Sequence, residues 1–149
     1  MLTPSLVLRL LVAAGLGAAI GLEREYRRKP AGLRTNILIA LGSALFTAVS
    51  IQLAAAGGTP DRIAAQIVTG VGFLGGGAIL RSGKSVLGMT TAATIWVNAA
   101  VGMAAGAGQF EMATAATALT LIVLAVLPPI ESYFDRRAGG KNLRERKPS

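Results

Sequence analysis

Apolar residues in this chain come in long blocks separated by short polar breaks. Five stretches are nearly free of charge: Leu2 to Leu22, Asn36 to Ala55, Ile63 to Leu80, Met89 to Ala107 and Phe110 to Ile130. A helix needs ~20 mostly apolar residues to cross a hydrocarbon core of ~30 Å, and each stretch comes close to that length. Glycine, proline and charge make the breaks. Pro30 and Gly32 open the first, Gly57 to Pro60 the second and Ser82 to Ser85 the third. Gly106 and Gly108 mark the fourth, and Pro128-Pro129 is expected to end the last stretch. The pattern predicts an all-α polytopic transmembrane bundle of about five spans. Residues 1–130 would form the membrane domain. Residues 131–149 would form a basic cytoplasmic tail, partly disordered or resting on the anionic inner leaflet.

Charge sets the orientation. The first break carries Arg24, Arg27, Arg28, Lys29 and Arg34, and the third carries Arg81 and Lys84. The tail carries Arg136, Arg137, Lys141, Arg144, Arg146 and Lys147, which makes thirteen basic residues on one side of the five spans. Arg62 stands alone on the other side, and Arg9 lies within the first span. Basic loops stay in the cytoplasm, so the N-terminus is expected outside and the C-terminus inside. Tyr26, Tyr133 and Phe134 then fall at the inner interface, where aromatic rings prefer to sit. The first span lacks a basic n-region and a small-residue cleavage site, so it is expected to be an uncleaved anchor.

Composition agrees. Among 149 residues, 52% are hydrophobic and 15% charged, with no cysteine and no histidine. Disulfides, Cys or His metal sites, and thiolate or imidazole catalysis are thereby excluded. The basic clusters alternate with apolar runs, which points to a bilayer rather than to nucleic acid. Two phosphate-binding patterns fail on context. Gly70, Gly72 and Gly75 spell G-x-G-x-x-G, but inside an expected span with no preceding strand. Gly83-Lys84-Ser85 would need glycine at position 78, where Ala78 stands. No cofactor is expected.

Small residues four apart, such as Gly17 and Gly21, Gly72 and Gly76, or Gly102 and Gly106, suit close helix packing. The glycine-dense run from Gly70 to Gly77 allows a second reading, an unwound segment lining a cavity. A shift of 56 residues lays Gly21 on Gly77, Gly32 on Gly88, Thr35 on Thr91 and Ile39 on Ile95, which raises a parallel repeat of two helical hairpins.

Polar side chains at membrane depth mark candidate function. Thr91, Thr94 and Asn98 share one helical face, and Asn36, Ser43, Thr47 and Ser50 share another. Gln66 enters the third span. Trp96, well inside the fourth, reads as a packing anchor, and Arg9 as a side chain snorkelling outward. At the mouth of the first span Glu23 and Glu25 precede Arg27 and Lys29 by four residues, and Glu23 can also reach Arg34 of the next helix. Asp61 and Glu111 lie on the opposite side, with nothing in their spacing that demands a cation.

Four segments resemble the MgtC/SapB family of bacterial inner-membrane proteins. They are Gly21-Leu22-Glu23-Arg24-Glu25, Ala31-Gly32-Leu33-Arg34-Thr35-Asn36, the run from Arg62 to Gly75, and Gly88-Met89-Thr90-Thr91-Ala92-Ala93 with Trp96. The resemblance implies a location in the bacterial inner (plasma) membrane and a link to adaptation to low Mg²⁺. In pathogens it implies a link to survival inside host cells. It implies a non-enzymatic regulator of other membrane proteins, such as the rotary ATP synthase, rather than a Mg²⁺ carrier. Many members add a C-terminal soluble domain, and the match here is to the hydrophobic domain.

Two functions therefore compete: the regulator, and a small oligomeric channel or carrier for Mg²⁺ or another cation. An enzyme is the weakest option, since no nucleophile–base pair is present. The expected partners are the lipid bilayer, other integral membrane proteins and a second copy of the chain, as a homodimer or higher oligomer. Mg²⁺ remains a candidate ligand with no metal-binding residues assigned, and nucleic acid is not expected. The candidate residues are Glu23, Arg24, Glu25, Arg34, Thr35, Asn36, Arg62, Gln66, Thr90, Thr91, Trp96 and Asn98. Of these, Glu23, Arg24, Glu25 and Arg34 are expected to form an ion-pair network.

Overall fold

Each apolar block becomes a helix. A computed structural model describes residues 4–55, 57, 59, 61–82 and 85–142. Its order is α1 (Pro4–Tyr26), α2 (Leu33–Ala55), α3 (Asp61–Gly77), a hairpin of β1 (Leu80–Ser82) and β2 (Ser85–Leu87), α4 (Met89–Gly106) and α5 (Phe110–Asn142). Pro4 opens α1, where a missing N–H costs nothing. Two helices end on the same device, in which a residue in the left-handed region turns the chain while two amides close back on the last turn. At the end of α4 this residue is Gly108 (φ 81°), with Gly108 N–H bonded to Ala105 O and Gln109 N–H to Ala104 O. At the end of α1 it is Arg28 (φ 54°), with Lys29 N–H reaching Arg24 O.

Three helices are long and apolar enough to cross a membrane alone: Pro4–Tyr26, Leu33–Ala55 and Phe110–Phe134. The third helix is apolar but shorter, Ile63–Gly77. The fourth carries Thr91, Thr94 and Asn98, all buried. It packs against each of the other four helices, so its polar groups are shielded by protein rather than by lipid.

Two expectations change, and one alternative closes. Pro128-Pro129 does not end the last helix, because α5 runs 33 residues through both prolines to Asn142. The two rings remove only two amides, and side chains of neighbouring helices can take up the carbonyls left over. The start of the tail is thus helical, while Arg144, Arg146 and Lys147 lie outside the described residues. The glycine-dense stretch of α3 is a continuous helix and not unwound. The third break is not a plain loop but an antiparallel hairpin that pairs Leu80 with Leu87 and Ser82 with Ser85. Gly83 and Lys84 at its tip are outside the described residues.

Glycine decides how close the helices come. A Cβ on Gly17 would lie 2.8 Å from Ala40 Cβ and from Asn36 O, and one on Gly21 would lie 2.7 Å from Leu33 Cα. Gly102 and Gly106 press in the same way on the backbone of Ala40 and Ala44. Helix α2 is thus clamped between α1 and α4 at backbone contact. Around this clamp lies a core of Ala13, Ile20, Ala44, Val101, Ala105, Ala113 and Leu124. A second cluster, Ile67, Val71, Ile95 and Ala99, joins α3 to α4.

Candidate functional site

Polar groups lie in the interior, and much of the surface is apolar. Arg24, Asn36, Ser43, Thr47, Ser50, Thr91, Thr94, Asn98 and Thr117 are buried. Leu, Ile, Val and Phe side chains stand exposed along the helices, among them Leu11, Leu38, Phe46, Phe73, Leu119 and Ile122. Soluble monomers rarely carry contiguous exposed apolar surface on this scale. The arrangement suits a solvent of hydrocarbon.

The buried polar groups form a seam along the α1–α2–α4 contact. Arg24, near the end of α1, is only 4% exposed. Its Nη2 donates to Thr91 Oγ1 at 3.0 Å, tying α1 to the first turn of α4. Two turns further along α4 from Thr91, Asn98 Nδ2 donates to Asn36 O at 2.7 Å and to Asn36 Oδ1 at 3.1 Å. Asn36 Nδ2 in turn donates to Gly32 O at 3.0 Å and to Ala31 O, which holds the turn into α2. Both asparagines are fully buried. The hydroxyls behave differently. Thr47 donates to Ser43 O and Thr94 to Thr90 O, each one turn back on its own helix.

The acidic residues take separate roles. Glu23 Oε1 lies 2.6 Å from Arg27 Nε and Glu23 Oε2 lies 3.9 Å from Arg24 Nη1, both as ion contacts. Arg24 Nε and Asn98 Oδ1 are buried without a hydrogen-bond partner among the described residues. Glu25 Oε2 accepts the amide of Leu33 at 3.1 Å and so caps α2 from outside. A carboxylate is well placed there, since the first amides of a helix are unpaired and the helix N-terminus is positive. A Cβ at Gly32 would collide with that carboxylate.

The expected four-residue network therefore forms only in part. Glu23 pairs with Arg24 and Arg27, Glu25 leaves to cap α2, and Arg34 is exposed with no ion pair among the described residues. Lys29 cannot meet Glu25 along a helix because α1 ends at Tyr26. Thr35 and Thr90 are exposed, and Gln66 is exposed along a groove between α2 and α3. Trp96 is 54% exposed and lines a second groove with Val68, Val71, Met103 and Met112, so it is not an internal anchor. The side chains of Asp61 and Arg62 lie outside the described residues. Glu111 is exposed in the first turn of α5. Among the described residues no group of three or more acidic side chains could hold a metal ion.

Two contacts escaped the sequence. Arg9 does not only snorkel: its Nη1 donates to Gly106 O at 3.0 Å, at the negative end of α4. Arg27 Nη2 donates to Ala125 O at 3.3 Å. Ala125 is four residues before Pro129, so its carbonyl lacks the usual amide. That missing amide was readable in the sequence; the residue that replaces it was not.

A helical bundle with an apolar exterior and a buried polar seam is a membrane protein. Within that class the chain belongs to the MgtC family, whose sequence profile matches residues 10–133. It is 48% identical over 132 residues to the Escherichia coli K12 protein named "Putative magnesium transporter YhiD", covering 84% of this chain and 61% of that protein. It is 51% identical over 115 residues to Protein MgtC of Salmonella typhimurium, covering 77% of this chain and 49% of that one. An uncharacterized Synechocystis protein, slr0014, is 46% identical over 131 residues, covering 88% of this chain and 56% of that protein. The chain thus spans between 49% and 61% of the length of these relatives. No solved structure matches it.

Proposed function

We propose that the protein is a multi-pass component of the bacterial inner membrane that acts without catalysis, by regulating other membrane proteins during adaptation to low Mg²⁺. Five crossings, with the N-terminus outside and the C-terminus in the cytoplasm, follow from the basic residues. At ~1.5 Å per residue the 17 residues of α3 and the 18 of α4 reach ~26–27 Å, close to the core thickness. The parallel repeat is the weaker part of this placement. Gly21 packs on Leu33, whereas its counterpart Gly77 meets nothing.

One observation carries the regulator reading. Four of the nine buried polar residues bond to one another across helices. Arg24 is bonded to Thr91 and Asn98 to Asn36, across helices that glycine brings to backbone contact. Such a seam locks three helices together. What remains available to other molecules is the apolar exterior. The exposed face of α3 around Gly72, Phe73 and Gly76 suits helix association and supports a homodimer or larger assembly.

The carrier reading keeps a foothold in Asn98 Oδ1, which is buried without a donor among the described residues, and in the name of the relative YhiD. Mg²⁺ flux into proteoliposomes separates the two. The expected result is flux no greater than in empty liposomes, from protein shown to be folded, together with crosslinks to other membrane proteins in cells. Saturable flux removed by Asn98→Leu would replace the regulator by a carrier.

A further inference from the structure

Helices α2 and α3 do not close on each other. Between them runs a groove of about 670 Å³, lined by Leu38, Ile39, Phe46, Ile67, Val71 and Leu74 among others. Its width comes from glycine used in the opposite sense to the α1–α2–α4 clamp. Gly42 on α2 and Gly70 on α3 both line the groove, and a Cβ added to either would meet nothing within 4 Å. Small residues that usually draw helices together leave an open trough here, with walls that are almost wholly apolar.

The dimensions of the trough suit one kind of occupant. Its lining runs from Thr35 to Phe46 on α2 and from Ile63 to Leu74 on α3. Eleven residues of helix rise ~16 Å, about half the ~30 Å hydrocarbon core, which is the reach of one leaflet's acyl chain. One end is charged. Thr35 lies in the lining, and Arg34, exposed and without an ion pair among the described residues, stands one turn before Leu38 on the same face of α2. Arg28 and Lys29 are exposed in the turn that leads into α2. Glu25 already caps the N-terminus of α2, so the positive charge at this end comes from these side chains.

We infer that this groove is a binding site for an anionic phospholipid. An acyl chain lies along Gly42 and Gly70, and the headgroup phosphate is held at Arg34 and Thr35. The inference depends on the bilayer placement above only for the leaflet, the cytoplasmic one. It does not depend on whether the protein regulates partners or carries an ion. The lipid would fill the gap between α2 and α3 and so couple the position of α3 to the charge of the inner leaflet.

The test is native mass spectrometry of the purified full-length chain in mild detergent, titrated with phosphatidylglycerol and, separately, with phosphatidylcholine. The wild type is expected to retain one phospholipid and to prefer phosphatidylglycerol. Arg34→Gln is expected to lower that preference about fivefold while leaving phosphatidylcholine binding unchanged. Gly70→Leu fills the trough from a position where an added Cβ meets no neighbour, and is expected to abolish retention of both lipids. Circular dichroism and elution volume report that each variant is folded; if Gly70→Leu fails them, Gly42→Leu makes the same cut from the opposite wall. A preference untouched by Arg34→Gln overturns the headgroup site, and lipid retained by a folded Gly70→Leu or Gly42→Leu overturns the groove. Lipid-free wild type that forms a dimer, broken by Gly70→Leu, would assign the groove to a second copy instead.

Discussion

Glycine at position 102 offers a decisive check on the α2–α4 contact. A Cβ introduced by Gly102→Ala would lie 2.8 Å from Ala40 Cα and 2.9 Å from its carbonyl carbon, and closer still to its oxygen. Carbon atoms in ordinary contact sit ~3.5–4.0 Å apart, so α4 has to retreat from α2 by about 1 Å. Asn98 lies one turn earlier on α4 and donates to Asn36 O at 2.7 Å. The same retreat takes that bond to ~3.7 Å, past the limit of a hydrogen bond. Overpacking costs about 1–3 kcal/mol. Two weakened interhelical bonds add about 1 kcal/mol at the average of ~0.6 each. Alanine recovers up to ~1 kcal/mol through its better helix propensity. The net expectation is a loss of about 1–3 kcal/mol. Gly72→Ala is the control, since its Cβ meets nothing and it keeps the propensity gain. Unfolding of both variants in one detergent should place Gly102→Ala below the wild type and Gly72→Ala at or slightly above it. Equal shifts, within ~0.5 kcal/mol, would refute the claim that backbone contact at Gly102 sets the spacing of these helices.

Three further outcomes are expected. Arg24→Met leaves the Glu23 carboxylate with Arg27 alone and Thr91 without its donor, and should destabilise the fold by about 3–5 kcal/mol, measured as unfolding in detergent; a loss below ~1 kcal/mol would mean the Arg24–Thr91 bond is not what holds α1 to α4. Arg9→Met removes the donor at the end of α4 and should cost about 0.3–1 kcal/mol, less at high salt. Pro129→Ala returns an amide to the Ala125 carbonyl, so Arg27→Ala should cost less in that background than in the wild type. A double-mutant cycle on unfolding free energy reads the coupling, and a value of zero would remove Arg27 as the partner of that carbonyl.

Much of the helix pattern was legible because hydropathy and punctuation are local properties. Gly108 was readable as a stop, since a left-handed residue after a helix is most often glycine. Arg28 was not, because a non-glycine takes that conformation only when the surrounding contacts hold it there. The stripe Asn36, Ser43, Thr47 and Ser50 was readable from helical spacing, and all four are buried. The partners of Glu23 and Glu25 were not. They depended on where α1 ends and where α2 begins, and each carboxylate had several bases within reach along the chain. The carbonyl that Pro129 leaves free, Ala125 O, is met by Arg27, 98 residues away in sequence.

The amino-acid sequence by itself determined the environment of this protein. Blocks of apolar residues the length of a bilayer, with basic residues between alternate blocks, require a helical membrane chain, because a backbone in hydrocarbon must satisfy its own hydrogen bonds. Only the tertiary structure decided what each small or polar residue does. Gly102 and Gly72 stand in the same small-xxx-small pattern, yet one touches the backbone of α2 and the other touches nothing. Thr91 and Thr90 are neighbours, yet one meets Arg24 inside the bundle and the other faces outward. Helical period fixes which residues share a face, but which face meets a neighbour depends on the arrangement of all five helices at once.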